Sequence, residues 1–158
     1  MSEQMRFTDT VIAVSDIKSS KKFYQELFGL EVFQDYGTNI AFSCGLAIQQ
    51  NFDLLVSIPK EKVLKESNNM ELYFEESDLD GFVKKLDNYP GIRYVQGVFE
   101  HRWGQRVIRF YDPDGHMIEV GEEMKMVVKR FLDSGLSMEQ TAERMGVSIE
   151  DLKTILNS

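Results

Sequence analysis

Two stretches of this chain, VSDIKSSKKFY at residues 14–24 and ESDLDGFVKKL at residues 76–86, lie over each other. Each passes through a Ser-Asp pair into a run with apolar residues at helical spacing. A duplication constrains the fold more than any single motif, because each copy has to form the same supersecondary unit. Asp9 stands as far before Asp16 as Glu71 stands before Asp78. Gln49 lies over Glu119 once extra residues are allowed in the second copy's loops, where insertions fall.

Around this match each copy reads βαβββ. Residues 7–14 alternate as a strand, with Asp9, Val11 and Ala13 on one face. Ser15 or Asp16 caps a helix running to about Phe28, and Gly29 ends it. Strands follow at 31–36, 39–43 and 46–50, with Gly37 and Cys44-Gly45 at the turns. Residues 51–69 form a connector broken at Ile58-Pro59, with a short helix expected over 61–67. The second copy opens with a strand at 71–75. Ser77 or Asp78 then caps a helix bearing Phe82, Val83 and Leu86, which ends at Tyr89-Pro90-Gly91, and a strand covers 94–99.

The second copy closes with WGQRVIRFYDPDGHMIEVG at residues 103–121. Asp112-Pro113-Asp114-Gly115 supplies turn chemistry between strands at 105–111 and 116–120. If Ile108 and Phe110 pack against a helix, Arg109 and Tyr111 fall on the opposite face, beside the strand that carries Glu119. A carboxylate in mid-strand among apolar neighbours is costly to bury unless it is paired or bound to a cation. Glu119 therefore demands a partner. Arg109 is one candidate, as a neutralising group or as a clamp for an anionic ligand.

Past residue 122 the pattern is all-α, with helices at 124–132, 137–145 and 149–156. Residues 136–156 have the spacing of a helix-turn-helix. The would-be recognition helix sets Glu150 and Asp151 against Lys153, and the chain's net charge is −8, so nucleic acid is not the expected partner. A packing role is the favoured reading of the tail. Cys44 is the sole cysteine, which excludes an intrachain disulfide and a cysteine zinc cluster. The opening MSEQMRF has no apolar signal region and no apolar run reaches membrane-spanning length, so the expectation is a cytoplasmic protein without a membrane.

The duplicated βαβββ unit, the FYQELFGLEV segment and the W-G-x-R…DPDGHxIE ending resemble the vicinal oxygen chelate superfamily: glyoxalase I, bleomycin-resistance proteins and extradiol dioxygenases. The resemblance implies an α+β fold in which two modules, at about 5–50 and 70–122, form curled mixed sheets around a cavity. Residues 1–122 then make one domain and 123–158 a helical extension. The cavity either closes within one chain or is shared between copies in a homodimer.

The family's metal positions fall on Asp9, Gln49, Glu71 and Glu119. This all-oxygen set suits a hard divalent ion such as Mg²⁺ or Mn²⁺ better than zinc or iron. The resemblance implies a metal-dependent lyase or isomerase, lactoylglutathione lyase-like, acting on a hemithioacetal, with Glu119 or Glu71 moving the proton. The other reading is a protein without a cofactor that binds a drug or metabolite, its carboxylates solvated, protonated or paired with Arg. A ligand-sensing regulator using the C-terminal helices is the third. Arg109, Tyr73, Tyr111, Trp103 and His101 are the candidate ligand contacts. Trp103 is read first as an apolar plug, and His116 as part of the turn.

Overall fold

The computed structural model describes residues 4–158. The opening residues of MSEQMRF, on which the expectation of no signal region partly rests, lie outside them. The fold is α+β, with two four-stranded mixed sheets, neither closed into a barrel, and helices after them. No helix among the described residues is long and apolar enough to cross a membrane. The chain forms two compact units, Met1–Met70 with Tyr111–His116, and Glu71–Phe110 with Met117–Ser158.

In the first unit β1 (Thr10–Val14) leads into α1 (Ile17–Phe28), and β2 (Val32–Asp35), β3 (Asn39–Phe42) and β4 (Leu46–Gln50) follow. The sheet order is β1-β4-β3-β2, with β1 parallel to β4. Asp16 caps α1 by accepting from the amides of Lys18 and Ser19, as its position in the repeat predicts. The buried stripe of α1 is Ile17, Phe23, Tyr24 and Leu27, and Tyr24 packs against Phe42 of the sheet. β1 is shorter than the sequence suggests. Phe7 is exposed and the pairing starts at Thr10, whose amide donates to Gly45.

The connector also departs from expectation. It holds α2 (Phe52–Val56) and a single 3₁₀ turn at Lys60–Lys62, and no helix spans 61–67. The reason is backbone conformation: Glu66 and Asn68 both take positive φ, which an α-helix of L-residues does not accommodate. Glu66 instead donates its amide to Gly115, where a Cβ would come within 2.9 Å of that same nitrogen. Gly115, at φ +85, is thus required twice over.

Within the same unit the turn at 111–116 is built on Asp112. One carboxylate oxygen accepts the amides of Asp114 and His116, and the other accepts the Tyr24 hydroxyl at 2.7 Å and meets His116 Nδ1 at 2.8 Å. Burial pushes the Asp112 carboxyl up, but His116 and Tyr24 together hold it below its ordinary value. His116 is therefore committed to the turn, as expected. Asp114 accepts from the amide and hydroxyl of Ser15.

The second unit repeats the scheme with β5 (Leu72–Glu76), α3 (Leu79–Asp87), β6 (Arg93–Glu100), β7 (Arg106–Tyr111) and β8 (Met117–Glu122). Its sheet order is β5-β8-β7-β6, with β5 parallel to β8. Asp78 caps α3, and Phe82 of that helix packs on Phe110.

The parallel pairs correct the internal alignment. In the first unit Val11 faces Ala47 and Ala13 faces Gln49; in the second, Tyr73 faces Glu119 and Glu75 faces Gly121. Val11 and Tyr73 are equivalent through the repeat. The counterpart of Glu119 is therefore Ala47, and Gln49 corresponds to Gly121. β4 misleads because Leu46, Ala47, Ile48 and Gln49 are all buried, so alternation does not fix its register.

The tail belongs to the second unit. α4 (Met124–Asp133), α5 (Met138–Met145) and α6 (Ile149–Leu156) enclose a core of Val127, Val128, Ala142, Met145 and Leu152. Serines 137 and 148 each form a full capping box, which explains why these short helices start where they do.

Candidate functional site

β5, β8, β7 and β6 bring a polar cluster together in the second unit. Its centre is Arg109 on β7. The guanidinium donates from Nε to Glu71 at 3.1 Å, from one terminal nitrogen to Glu119 at 2.8 Å, and from the other to the Gln96 side chain at 3.2 Å. All three guanidinium nitrogens are engaged, and the group bridges two carboxylates instead of chelating one.

Glu119 is buried at 6% exposure, which is the cost anticipated for a mid-strand acid. That burial lifts its carboxyl to about 7; the Arg109 guanidinium pulls it down, and the Glu71 carboxylate pushes it up again. Two acids share one cation here. The triad is neutral when Glu119 carries a proton and singly negative when it does not.

His101 Nε2 lies 3.6 Å from Glu119, outside hydrogen-bonding reach. Burial lowers its pKa, and Arg109 lowers it further, so the imidazole is neutral at pH 7. The ring stacks on Trp103 at 4.1 Å and meets Phe99 edge-on. Trp103 in turn packs against the tail core and donates its indole N–H to Gln105. Gln105 ties this wall to β5 by donating to the Tyr73 hydroxyl, which itself donates to Glu75. Burial raises the Tyr73 phenol, and the Glu75 bond adds to this, so it is a permanent donor.

Three other sequence-derived candidates belong to the first unit. Asp9 precedes β1 in the first unit and is exposed. Gln49, also in that unit, is buried, with its amide oxygen accepting from Asn39 and its nitrogen donating to the Gln50 carbonyl. Tyr111 donates to Asn68. Among the described residues no group of three or more His, Cys, Asp or Glu side chains is gathered to hold a metal ion. The first unit has a cleft of its own beneath the connector, lined by Ala13, Asn51, Phe52, Val63 and Leu64 among others.

Sequence reasoning missed Gln96, Gln105 and Glu75, which hold the cluster's geometry. Gln105 was legible in principle, since it shares the parity of Arg109 in the strand expected over 105–111.

With the duplicated modules and this sheet-borne cluster in view, the chain's kinship is plain. Residues 7–125 match the glyoxalase-like domain family. The chain belongs to that family, within the vicinal oxygen chelate superfamily. A protein of unknown function from Agrobacterium tumefaciens is 38% identical, covers 77% of this chain and 96% of its own length, and superposes with a TM-score of 0.65. Two more distant structures share the fold. A glyoxalase/bleomycin resistance protein/dioxygenase family enzyme from Burkholderia phytofirmans is 14% identical over 75% of this chain and 98% of its own, at TM-score 0.64. The fosfomycin resistance protein FosX from Mesorhizobium loti is 18% identical over 77% and 93%, at TM-score 0.53.

Proposed function

We propose that this glyoxalase-like protein is a cytoplasmic small-molecule binder in which Arg109 takes the place that a divalent cation holds in the family's enzymes. One observation carries this reading: the guanidinium bridges Glu71 and Glu119. As they stand, the donors do not suit a divalent ion. Both carboxylates already accept from one guanidinium, the counterpart of Glu119 in the first module is Ala47, and the Gln49 amide is engaged. A guanidinium cannot exchange ligands as a metal does, but it can pass one of its N–H pairs to an incoming anion. The ligand is then a small anionic or carbonyl-rich molecule with a flat portion set against Tyr73, His101 and Trp103.

The expected result for Arg109→Met is loss of ligand binding with a smaller change in stability. The check is a thermal-shift screen of small aromatic carboxylates and phosphonates on both proteins. Ligands that shift the mutant as much as the wild type would remove Arg109 from the site. Binding of an anion should also strengthen as the pH falls through about 7, because protonated Glu119 then releases the guanidinium.

A second reading is a lyase or isomerase of glyoxalase I type, with Glu119 and Glu71 moving a proton. It is favoured by the Glu119 carboxyl itself, poised at about 7, where a group can both accept and release a proton under working conditions. Hemithioacetal turnover abolished by Glu119→Gln would establish it. In both readings the tail serves packing. Its support is the shared core with Trp103 and the ion pairs of Arg130 with Glu122.

A further inference from the structure

The cleft of the first unit lies between the end of β1, the start of α2 and the connector, and its volume is about 210 Å³. Pockets that take drug-sized molecules measure roughly 300–1,000 Å³, so this one suits a smaller ligand. Ala13 contributes only a methyl group to the lining, whereas the equivalent position of the second unit carries Glu75. The connector wall is fixed in place: Glu66 donates its amide to Gly115, which holds Lys65 beside the turn that carries Asp114.

Charges of both signs line this cleft, and none compensates another. Lys60, Lys65, Asp53 and Asp114 all border it, and among the described residues no ion pair joins any of them to another side chain. The two lysines and Asp53 alone would be ordinary surface. Asp114 is different: it is 7% exposed, and a carboxylate so buried normally has a cation or a full set of donors. One of its oxygens accepts the Ser15 amide and hydroxyl, but the other has only the Ser20 hydroxyl, at a long 3.5 Å. A buried acid is left short of a positive partner.

We propose that this cleft binds a small aliphatic amino acid as its zwitterion. The ammonium completes the donor set of Asp114, the carboxylate lies against Lys60 and Lys65, and the aliphatic side chain packs on Ala13, Phe52 and Val63. A simple carboxylate would leave Asp114 without a cation and bring a second negative charge to it, and a simple amine would leave both lysines unused. Every residue lining the cleft belongs to the first unit, whereas Arg109 belongs to the second, so the site does not rest on the role given to Arg109.

The test is an NMR titration of the isotope-labelled full chain with leucine, beside isocaproate, which lacks the ammonium, and isoamylamine, which lacks the carboxylate. The expected result is a set of saturable shifts at the amides of residues 13–15, 51–53 and 63–65. Leucine should bind about tenfold or more tighter than either analogue, since each lacks one charge-assisted contact. Lys60→Ala combined with Lys65→Ala alters only exposed side chains, so the fold should hold while leucine binding weakens about tenfold or more. No saturable shift up to the solubility of leucine would overturn the proposal. So would an analogue that binds as tightly as leucine, undiminished binding in the double lysine variant, or shifts centred on Arg109.

Discussion

Replacing Gly104 with alanine is expected to be among the most damaging single substitutions in the chain. Gly104 sits at φ +88, and a Cβ there would lie 2.4 Å from the Phe131 ring of α4. Its carbonyl accepts from Arg130 of the same helix at 2.7 Å, so the site is where the tail meets the β6–β7 turn. The left-handed backbone and the ring overlap together should cost roughly 3–4 kcal/mol. Denaturant unfolding measures the loss, and amide exchange should show α4 opening before the sheet. Adding Phe131→Ala should make Gly104→Ala cheaper, because it removes the overlap and leaves only the backbone cost. A loss under about 1 kcal/mol, with α4 still protected, would mean that the ring turns aside freely.

Glu122→Gln is the second large effect. One carboxylate oxygen accepts the Arg106 amide and an Arg130 nitrogen, and the other accepts from both guanidinium groups. Burial pushes this carboxyl up, yet Arg130 and Arg106 hold it at about 2. The amide keeps the shape but turns donor protons toward two cations. The expected cost is about 2–4 kcal/mol, below that of a fully dry pair because both arginines remain partly in water.

The pH dependence follows from the direction of each shift. Glu122 is depressed on folding, so its contribution is complete above the ordinary value of 4.5 and is lost as pH falls through about 2. The gap between wild type and Glu122→Gln should therefore narrow below pH 4.5. Glu119 behaves oppositely: its folded value is raised, so the stability linked to its proton is present at acid pH and is lost as pH rises through about 7. A gap that stays constant down to pH 2 would contradict the role of Glu122.

Much of this architecture was legible because its signals are local. Asp16 and Asp78 cap helices by side-chain chemistry that reads directly from sequence, and the DPDG turn forms where its residues demand it. Arg109 and Glu119 were readable as neighbours because a period of two places both on one sheet face. The connector was not legible at Glu66, whose residue type gives no sign of the positive φ it takes where its amide donates to Gly115. The β4 register was misread because the one polar residue of a buried strand, Gln49, drew the alignment to itself. The docking of the tail was equally hidden: Gly104 and Glu122 act through partners far along the chain, and neither residue type announces that.

In the proposed reading Arg109 is the resident cation of the Glu71–Glu119 pair. Its most direct test is metal analysis of tag-free protein equilibrated with Mn²⁺ and then desalted. The expected result is a wild type that retains no metal. Near-stoichiometric Mn²⁺ that disappears in Glu119→Gln would contradict it, and would assign the carboxylates to a metal centre.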